Sequence, residues 1–323
     1  MSIYLPPLAV IFVWHPDNAE EVKPLVDHCF SLLSRDINKP FSRSMNLPTF
    51  FRTANKNSVP TQIDIQANKT VVFIFVSKDL AVDSTWIEYI TKIPESESIN
   101  IIPIALDENS LALSDVFSNK NFIREYDFDL LEKKHLTFIS VAHEIYRYAL
   151  NESFNTMTLG SDNALSVFLS HAKDGENGIK IAEALKRFID NSVMKTFFDA
   201  TNIAPGYRFD KEIVGHIKNS TIIAIHSDVY SSRYWCQLEI MSAKEYNRPI
   251  IAVDALENFE DRKFPFATNV PAVHVHVNGE LAENDLLRIL SATLLETIRF
   301  FYSKLTFDQY KNAGWINSDA KII

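Results

Sequence analysis

The stretch Tyr230–Ile240 reads YSSRYWCQLEI. It lies between two apolar runs, Ser220–Ile225 (STIIAI) and Pro249–Val253 (PIIAV). Short continuous apolar runs rich in β-branched residues are the mark of strands buried on both faces of a parallel sheet. If Ser231 or Ser232 caps a helix, Trp235 and Glu239 fall one turn apart on one helical face. That face begins just past the C-terminal end of a buried strand, the edge at which open α/β sheets bind ligands. The stretch therefore predicts a strand–helix–strand unit of a doubly wound sheet and marks a place for chemistry within it.

Outward from this point, the second half of the chain alternates strands and helices. Ser166–Ser170 (SVFLS) reads as a strand, Lys173–Gly178 as a polar loop, and Ile179–Ile189 as a helix with Ile181, Leu185, Phe188 and Ile189 on one face. Lys195–Phe198 (KTFF) is a short strand. Asp199–Phe209 is a loop with Pro205-Gly206 inside it, and a helix through Ile213 and Ile217 follows. Thr221–Ile225, Ile250–Val253 and Val273–Val277 are further strands. A long helix, Asp285–Phe301, carries the stripe Leu287, Leu290, Leu294, Ile298 and Phe301. The aromatic tail after Tyr302 (Phe307, Tyr310, Trp315) is expected to pack on a surface.

The first half repeats the alternation. Ala9–Trp14 (AVIFVW) and Val71–Val76 (VVFIFV) read as buried strands, and Pro48–Phe51 (PTFF) as a short one. A helix is expected over Ala19–Ser34, its regular part starting near Pro24. A weak helix is expected around Ile63–Asn68 and another helix from about Ser84. Ile101–Leu106 (IIPIAL) is a strand whose internal proline suggests an edge or an irregular end. A final helix spans about Leu130 to Leu150. Strands alternating with helices imply parallel βα units. The polar segment Asn151–Asn163 (NESFNTMTLGSDN) reads as a linker, dividing the chain into a domain over 1–150 and one over 164–323.

The totals agree with two globular domains: 323 residues, 46% hydrophobic and 23% charged. A net charge of −9 argues against nucleic-acid binding, since no broad cationic surface is available to meet phosphates. Two cysteines, Cys29 and Cys236, make neither a disulfide framework nor a structural zinc site and fit a cytoplasmic setting. The N-terminal apolar run lacks a basic flank and a cleavage site, so neither a signal peptide nor a membrane span is expected.

The two halves also read as copies. With Trp86 on Trp235, an offset of 149, Asp79 falls on Asp228, Ser84 on Arg233 and Ile101-Ile102 on Ile250-Ile251. An offset of 147 lays TFFRTAN (Thr49–Asn55) on TFFDATN (Thr196–Asn202), and one of 156 lays IFVWH (Ile11–His15) on VFLSH (Val167–His171). Such small drifts are what loop-length changes produce. On the 149 offset Ile90 stands opposite Glu239, so only the second half keeps the carboxylate.

Over about Ala164 to Phe301 the chain resembles a Toll/interleukin-1 receptor (TIR) domain, particularly the bacterial kind that consumes NAD+. The resemblance is carried by SVFLSHAKD, TFFDATNIAPGYRFDKEI, IKNSTIIAIHSDVYSSRYWCQLEI and RPIIAVD in that order, with S-x-x-x-W-C-x-x-E as its specific core. It implies an α/β fold of the flavodoxin-like type, here present twice, each copy a mostly parallel five-stranded sheet flanked by helices. The first half, about Leu5 to Leu150, looks like a degenerate TIR-like domain that keeps Trp86 and departs at Val13–His15, Ile87 and Ile90, which implies that it is not catalytic.

The resemblance assigns Glu239 the catalytic role in cleaving the nicotinamide–ribose bond. The chemistry is consistent with one carboxylate. Nicotinamide leaves from a cationic state and needs no general acid, so a single carboxylate has only to stabilise the oxocarbenium-like ribosyl cation or hold the ribose hydroxyls. The plain alternative is a solvated helix glutamate. Trp235 either stacks on a flat ring or fills space under the loop after the TFF strand. Cys236 reads as a small buried residue rather than a nucleophile. Ser170, His171 and Lys173, on the first βα turn, are expected substrate contacts near a pyrophosphate, although no G-x-G-x-x-G is present. Asp199 resembles the family's acidic residue at the start of that loop or is a loop cap. Arg208 is a contact or a solvated charge. His274 and His276 alternate on a strand without a nearby third ligand, so no metal and no cofactor is expected, NAD+ being the substrate.

The function so implied is an NAD+ glycohydrolase or cyclase, giving nicotinamide and ADP-ribose or a cyclic isomer in antiphage defence signalling. Self-association through TIR domains and a defence-system partner protein are the implied partners. The alternatives are a non-catalytic TIR scaffold acting by domain assembly and, more distantly, a nucleoside deoxyribosyltransferase that uses its glutamate as a nucleophile.

Overall fold

The computed structural model describes residues 4–34, 45–64, 67–118, 120–150, 164–173, 176–192, 194–197, 209–258, 264–276 and 281–321. The linker Asn151–Asn163, Asp199, Pro205-Gly206 and Arg208 lie outside the described residues. The chain falls into two compact units, Met1–Leu150 with Ile298–Ile323, and Asn151–Thr297. The sequence reading carried the second domain through 323, whereas the C-terminal residues from Ile298 group with the first unit.

In the first unit the chain runs β1 (Leu8–Trp14), α1 (Ala19–Leu33), β2 (Thr49–Arg52), β3 (Lys69–Val76), α2 (Lys78–Val82), α3 (Ser84–Thr91), β4 (Ile99–Ala105), β5 (Ile123–Arg124) and α4 (Lys133–Ile145). The strands form one parallel sheet in the order β2-β1-β3-β4-β5. All seven residues of β1 and the last seven of β3 are buried, as central strands covered on both faces require. The main cluster around α3 packs Val13, Val76, Leu80, Trp86, Tyr89 and Ile90 together. The Lys133 ammonium sits 2.8 Å from the fully buried Glu125 carboxylate and 3.1 Å from that of Glu21 on α1.

Several local expectations change. Helix α1 begins at Ala19, five residues before Pro24. A proline this early loses only one intrahelical N–H bond, and Val22, Leu25 and Val26 are buried across it. Of the expected helix around Ile63–Asn68, the described residues 63–64 and 67–68 are not helical; Ile63 and Ala67 are buried, and Tyr89 donates its hydroxyl to the Thr61 carbonyl. Strand β4 is not an edge strand. Its neighbour β5 reaches only Ile104 and Ala105, however, so Pro103 has no strand partner on that side, which is how the proline is tolerated. The two-residue β5 was too short to be read from the sequence.

The second unit runs β6 (Ser166–His171), α5 (Glu176–Asp190), β7 (Lys195–Phe197), α6 (Phe209–Ile217), β8 (Thr221–His226), α7 (Tyr234–Glu245), β9 (Ile250–Asp254), β10 (Ala272–His274) and the part of α8 (Glu283–Asn312) up to Thr297. Its sheet is parallel throughout, in the order β10-β9-β8-β6-β7. Counted in chain order within each unit, the two sheets share one order, 2-1-3-4-5, that of flavodoxin-like folds. Its core gathers Phe168, Ile213, Ile217, Ile222, Tyr230 and Ile240. Helix α8 continues eleven residues past the expected Phe301, to Asn312. Beyond it Trp315 joins Tyr310 against Tyr4, with ring centroids 5.2 to 5.8 Å apart, so the aromatic tail does pack.

Register corrects the alignment of the halves. The buried residues of α3 are Trp86, Tyr89 and Ile90; those opening α7 are Cys236, Glu239 and Ile240, an offset of 150 (236 less 86). The same offset matches the strand ends Val76 and His226 and the fully buried Leu80 and Tyr230. Val13 pairs with Ile74, and Ser170 with Ala224, so β6 lies at an offset of 157 from β1. The position opposite Glu239 is therefore Tyr89, not Ile90, and that opposite Ser170 is Val13. A one-residue slip matters because it turns a side chain to another face. Aligning the two tryptophans led the sequence comparison astray: Trp86 is 1% exposed and Trp235 41%.

Candidate active site

The site forms where the strand order reverses, between β6 and β8, the crevice favoured in this topology. Strand β6 brings Ser170 there as its last fully buried residue, after Val167, Phe168 and Leu169. From β8 the chain passes His226 and Ser227 into a 3-10 turn, Tyr230–Ser232, and then α7. Neither serine of that turn caps α7; Arg233 holds the cap position. Ser231 Oγ accepts from the backbone N–H of Phe264, and Ser232 Oγ donates to the Val229 carbonyl, so both serines brace the turn. Asp228 accepts from the backbone N–H groups of Glu257 and Asn258 and from the Asn258 amide, which ties the loop after β8 to the loop after β9. The Asn258 hydrogen bond holds the Asp228 carboxyl below its ordinary range.

Glu239 is 9% exposed, on the inner face of α7. Ser170 Oγ donates to its Oε2 at 2.5 Å. The Ser170 and Tyr230 hydroxyls are 2.6 Å apart. Since the Ser170 hydrogen is committed to the carboxylate, Tyr230 is the donor of that second bond. Tyr230 is fully buried and its ring stacks on His226 at 4.5 Å, 20° from parallel.

Above the carboxylate opens a cleft of about 340 Å³, within the range of small-ligand sites, lined among others by His171, Lys173, Arg233, Trp235, Cys236 and Glu239. The structure thus brings four sequence-predicted residues to one cleft. Glu239, His171, Lys173 and Trp235 line it, while Ser170 lies behind Glu239 with 1% of its surface exposed. Trp235 is partly open and meets Tyr234 edge-on at 5.5 Å, leaving an aromatic surface at the rim. Cys236 is 3% exposed and packs in the core.

Two residues were missed. Arg233 brings a second cation to the cleft that Lys173 lines, and Tyr230 supplies the hydroxyl behind Ser170. The signal for Tyr230 was its position four residues past the β8 end, a place that the first half fills with Leu80. His274 pairs with Asp254 at 3.0 Å across the β10–β9 edge. Among the described residues no three His, Cys, Asp or Glu side chains converge as a metal site.

Residues 167–288 match the family model of the TIR domain, and this segment is one. A search of curated proteins finds no match. Among solved structures the chain is similar to the TIR domains of the activated Roq1 resistosome recognising the pathogen effector XopQ, at 15% identity over 46% of this chain and 99% of that one, TM-score 0.25. It is also similar to a hypothetical protein at 16% identity over 58% and 92%, TM-score 0.24, and to PH0766 from Pyrococcus horikoshii OT3 at 10% over 93% and 67%, TM-score 0.32. At those scores the structural likenesses carry no argument. Among the described residues no helix is long and apolar enough to cross a membrane.

Proposed function

We propose that the TIR domain cleaves the nicotinamide–ribose bond of NAD+, releasing nicotinamide and either ADP-ribose or a cyclic isomer. The observation that carries this reading is Glu239: a nearly buried carboxylate, held from behind by a hydroxyl and facing a cleft that also presents two cations and an open tryptophan. The charges suit the substrate. Lys173 and Arg233 complement a diphosphate, and Glu239 complements the cation that develops on the ribose as neutral nicotinamide departs. Trp235 offers a face for a planar ring. A carboxylate fixed before the reaction does not have to reorganise as charge develops, which is where electrostatic catalysis gains most.

The first unit we read as a degenerate copy without catalysis, because Val13, Leu80 and Tyr89 fill the places of Ser170, Tyr230 and Glu239 and belong to its core cluster. Its role is then assembly or sensing. Self-association through TIR domains, a defence-system partner, a cytoplasmic location and a place in antiphage signalling rest on the family resemblance. The scaffold alternative differs in one measurable respect. The enzyme, incubated with NAD+ over a range of protein concentrations and followed by mass spectrometry, yields nicotinamide plus linear or cyclic ADP-ribose. A scaffold leaves NAD+ intact at every concentration.

A further inference from the structure

We infer that Ser170 and Tyr230 form a two-hydroxyl relay whose work is to position Glu239 and keep it ionised, rather than to touch the substrate. The inference rests on the reading of Glu239 as the catalytic carboxylate, and three observations support it. The bonds run in series, Tyr230 O–H to Ser170 Oγ at 2.6 Å and Ser170 O–H to Glu239 Oε2 at 2.5 Å. Both hydroxyls are shut away from the cleft: Ser170 is 1% and Tyr230 0% exposed. In the first unit all three positions change together, to Val13, Leu80 and Tyr89, so neither hydroxyl is kept where the carboxylate is missing.

The physical argument concerns a carboxylate near the protein interior. Burial favours its neutral form, and a donated hydrogen bond favours the charged one. Ser170 supplies that bond on the side away from the cleft. A serine hydroxyl alone rotates freely; the bond from Tyr230 occupies its acceptor side and turns its proton to Glu239. The Tyr230 ring is held in turn by its stack on His226. Among the described residues, the titratable or charged groups that share the cleft with Glu239 are His171 at the end of β6, Lys173 after it, Arg233 at the N-cap of α7 and Cys236 on α7. They line the cleft, where ligand and solvent reach them, whereas the relay acts from the buried side.

The test reads Glu239 itself. In the full chain labelled with side-chain 13C-glutamate, the Glu239 carboxyl is assigned by its loss in Glu239→Gln and titrated by NMR. Ser170→Ala is expected to raise its pKa by about 1, a tenfold change in the protonation equilibrium. Tyr230→Phe is expected to raise it less, and Ser170→Ala/Tyr230→Phe no more than Ser170→Ala alone, because the bonds act in series. Ser170→Thr, which keeps a hydroxyl, should restore the wild-type value. In NAD+ turnover the acid limb of the pH–rate profile should move to higher pH in Ser170→Ala with KM little changed. Identical Glu239 titration in wild type and Ser170→Ala, or a loss seen only as raised KM, overturns the relay. Because the NMR titration needs no turnover, it judges the relay even if the chain proves not to cleave NAD+.

Discussion

Tyr89 in the first unit occupies the helix position that Glu239 occupies in the second. Both lie on the inner face of the helix that leads into the fourth strand of their unit, α3 or α7, three residues beyond a buried side chain, Trp86 in one case and Cys236 in the other. Their surroundings are opposed. Glu239 meets a hydroxyl and a cleft; Tyr89 packs edge-on against Trp86 at 5.7 Å, and burial pushes its phenol up to about 12. One fold thus carries a polar pocket in one copy and a packed core in the other.

Restoring the carboxylate alone should therefore fail. Tyr89→Glu places a charge in the apolar cluster of Val13, Leu80 and Trp86, without the serine hydroxyl that meets Glu239 and with Arg52 as the cation acting on that position. We expect a loss of about 1–3 kcal/mol of unfolding free energy, the scale of a polar group buried with incomplete compensation. No nicotinamide should be released by Tyr89→Glu/Glu239→Gln. Denaturant unfolding and a nicotinamide assay on that chain check both halves of the statement.

The two tryptophans should part in the same way. Trp86 is 1% exposed, and its indole N–H donates to the Ser58 carbonyl, so Trp86→Ala should cost about 3–5 kcal/mol. Trp235 is 41% exposed at the cleft rim. Trp235→Ala should cost about 1 kcal/mol or less in stability and act chiefly on substrate binding. Chemical denaturation compares the first quantity, and KM for NAD+ the second.

The Lys133 ion pair predicts a pH dependence. Desolvation raises the Glu125 carboxyl, while its bond to Lys133 opposes that shift. The sign follows from linkage. A carboxyl whose folded pKa lies above the ordinary 4.5 binds more protons folded than unfolded, so its contribution to stability falls as pH rises through that window. Removing Lys133 takes away the cation that opposes the desolvation of Glu125, so holding that carboxyl in either form is costlier at neutral pH than at low pH, where it is protonated and uncharged in both chains. Lys133→Ala should thus cost about 3 kcal/mol at pH 7 and markedly less below pH 4.5. Denaturant titrations at the two pH values measure the difference.

The fold was legible because its central strands are continuous apolar runs. AVIFVW, VVFIFV and STIIAI read as strands inside a parallel sheet covered on both faces, and the structure buries them there. The short strand TFF was legible as a repeated word, and its register on β1 and β6 agrees with the 147-residue offset. What escaped was finer than a sequence pattern resolves. Strand β5 covers two residues, and the helix register differs by one residue from the tryptophan alignment. His171 and Lys173 could be placed from the sequence because they lie at the end of β6, and Trp235 and Glu239 because they fall one helical turn apart in the helix after β8. Tyr230 and Arg233 could not be, since a buried hydroxyl looks like core filling and an exposed arginine like a solvated charge until the strands bring β6 beside β8.

The central claim, that Glu239 is the carboxylate on which NAD+ cleavage depends, has one direct test. Glutamine keeps the shape and accepts the Ser170 hydrogen bond but carries no charge. Nicotinamide release from NAD+ is measured for the wild-type chain and for Glu239→Gln, with thermal unfolding as a check on the fold. The account predicts release by the wild type and a loss of about 10²–10³-fold or more in Glu239→Gln at an unchanged melting temperature. Undiminished release by Glu239→Gln would contradict it.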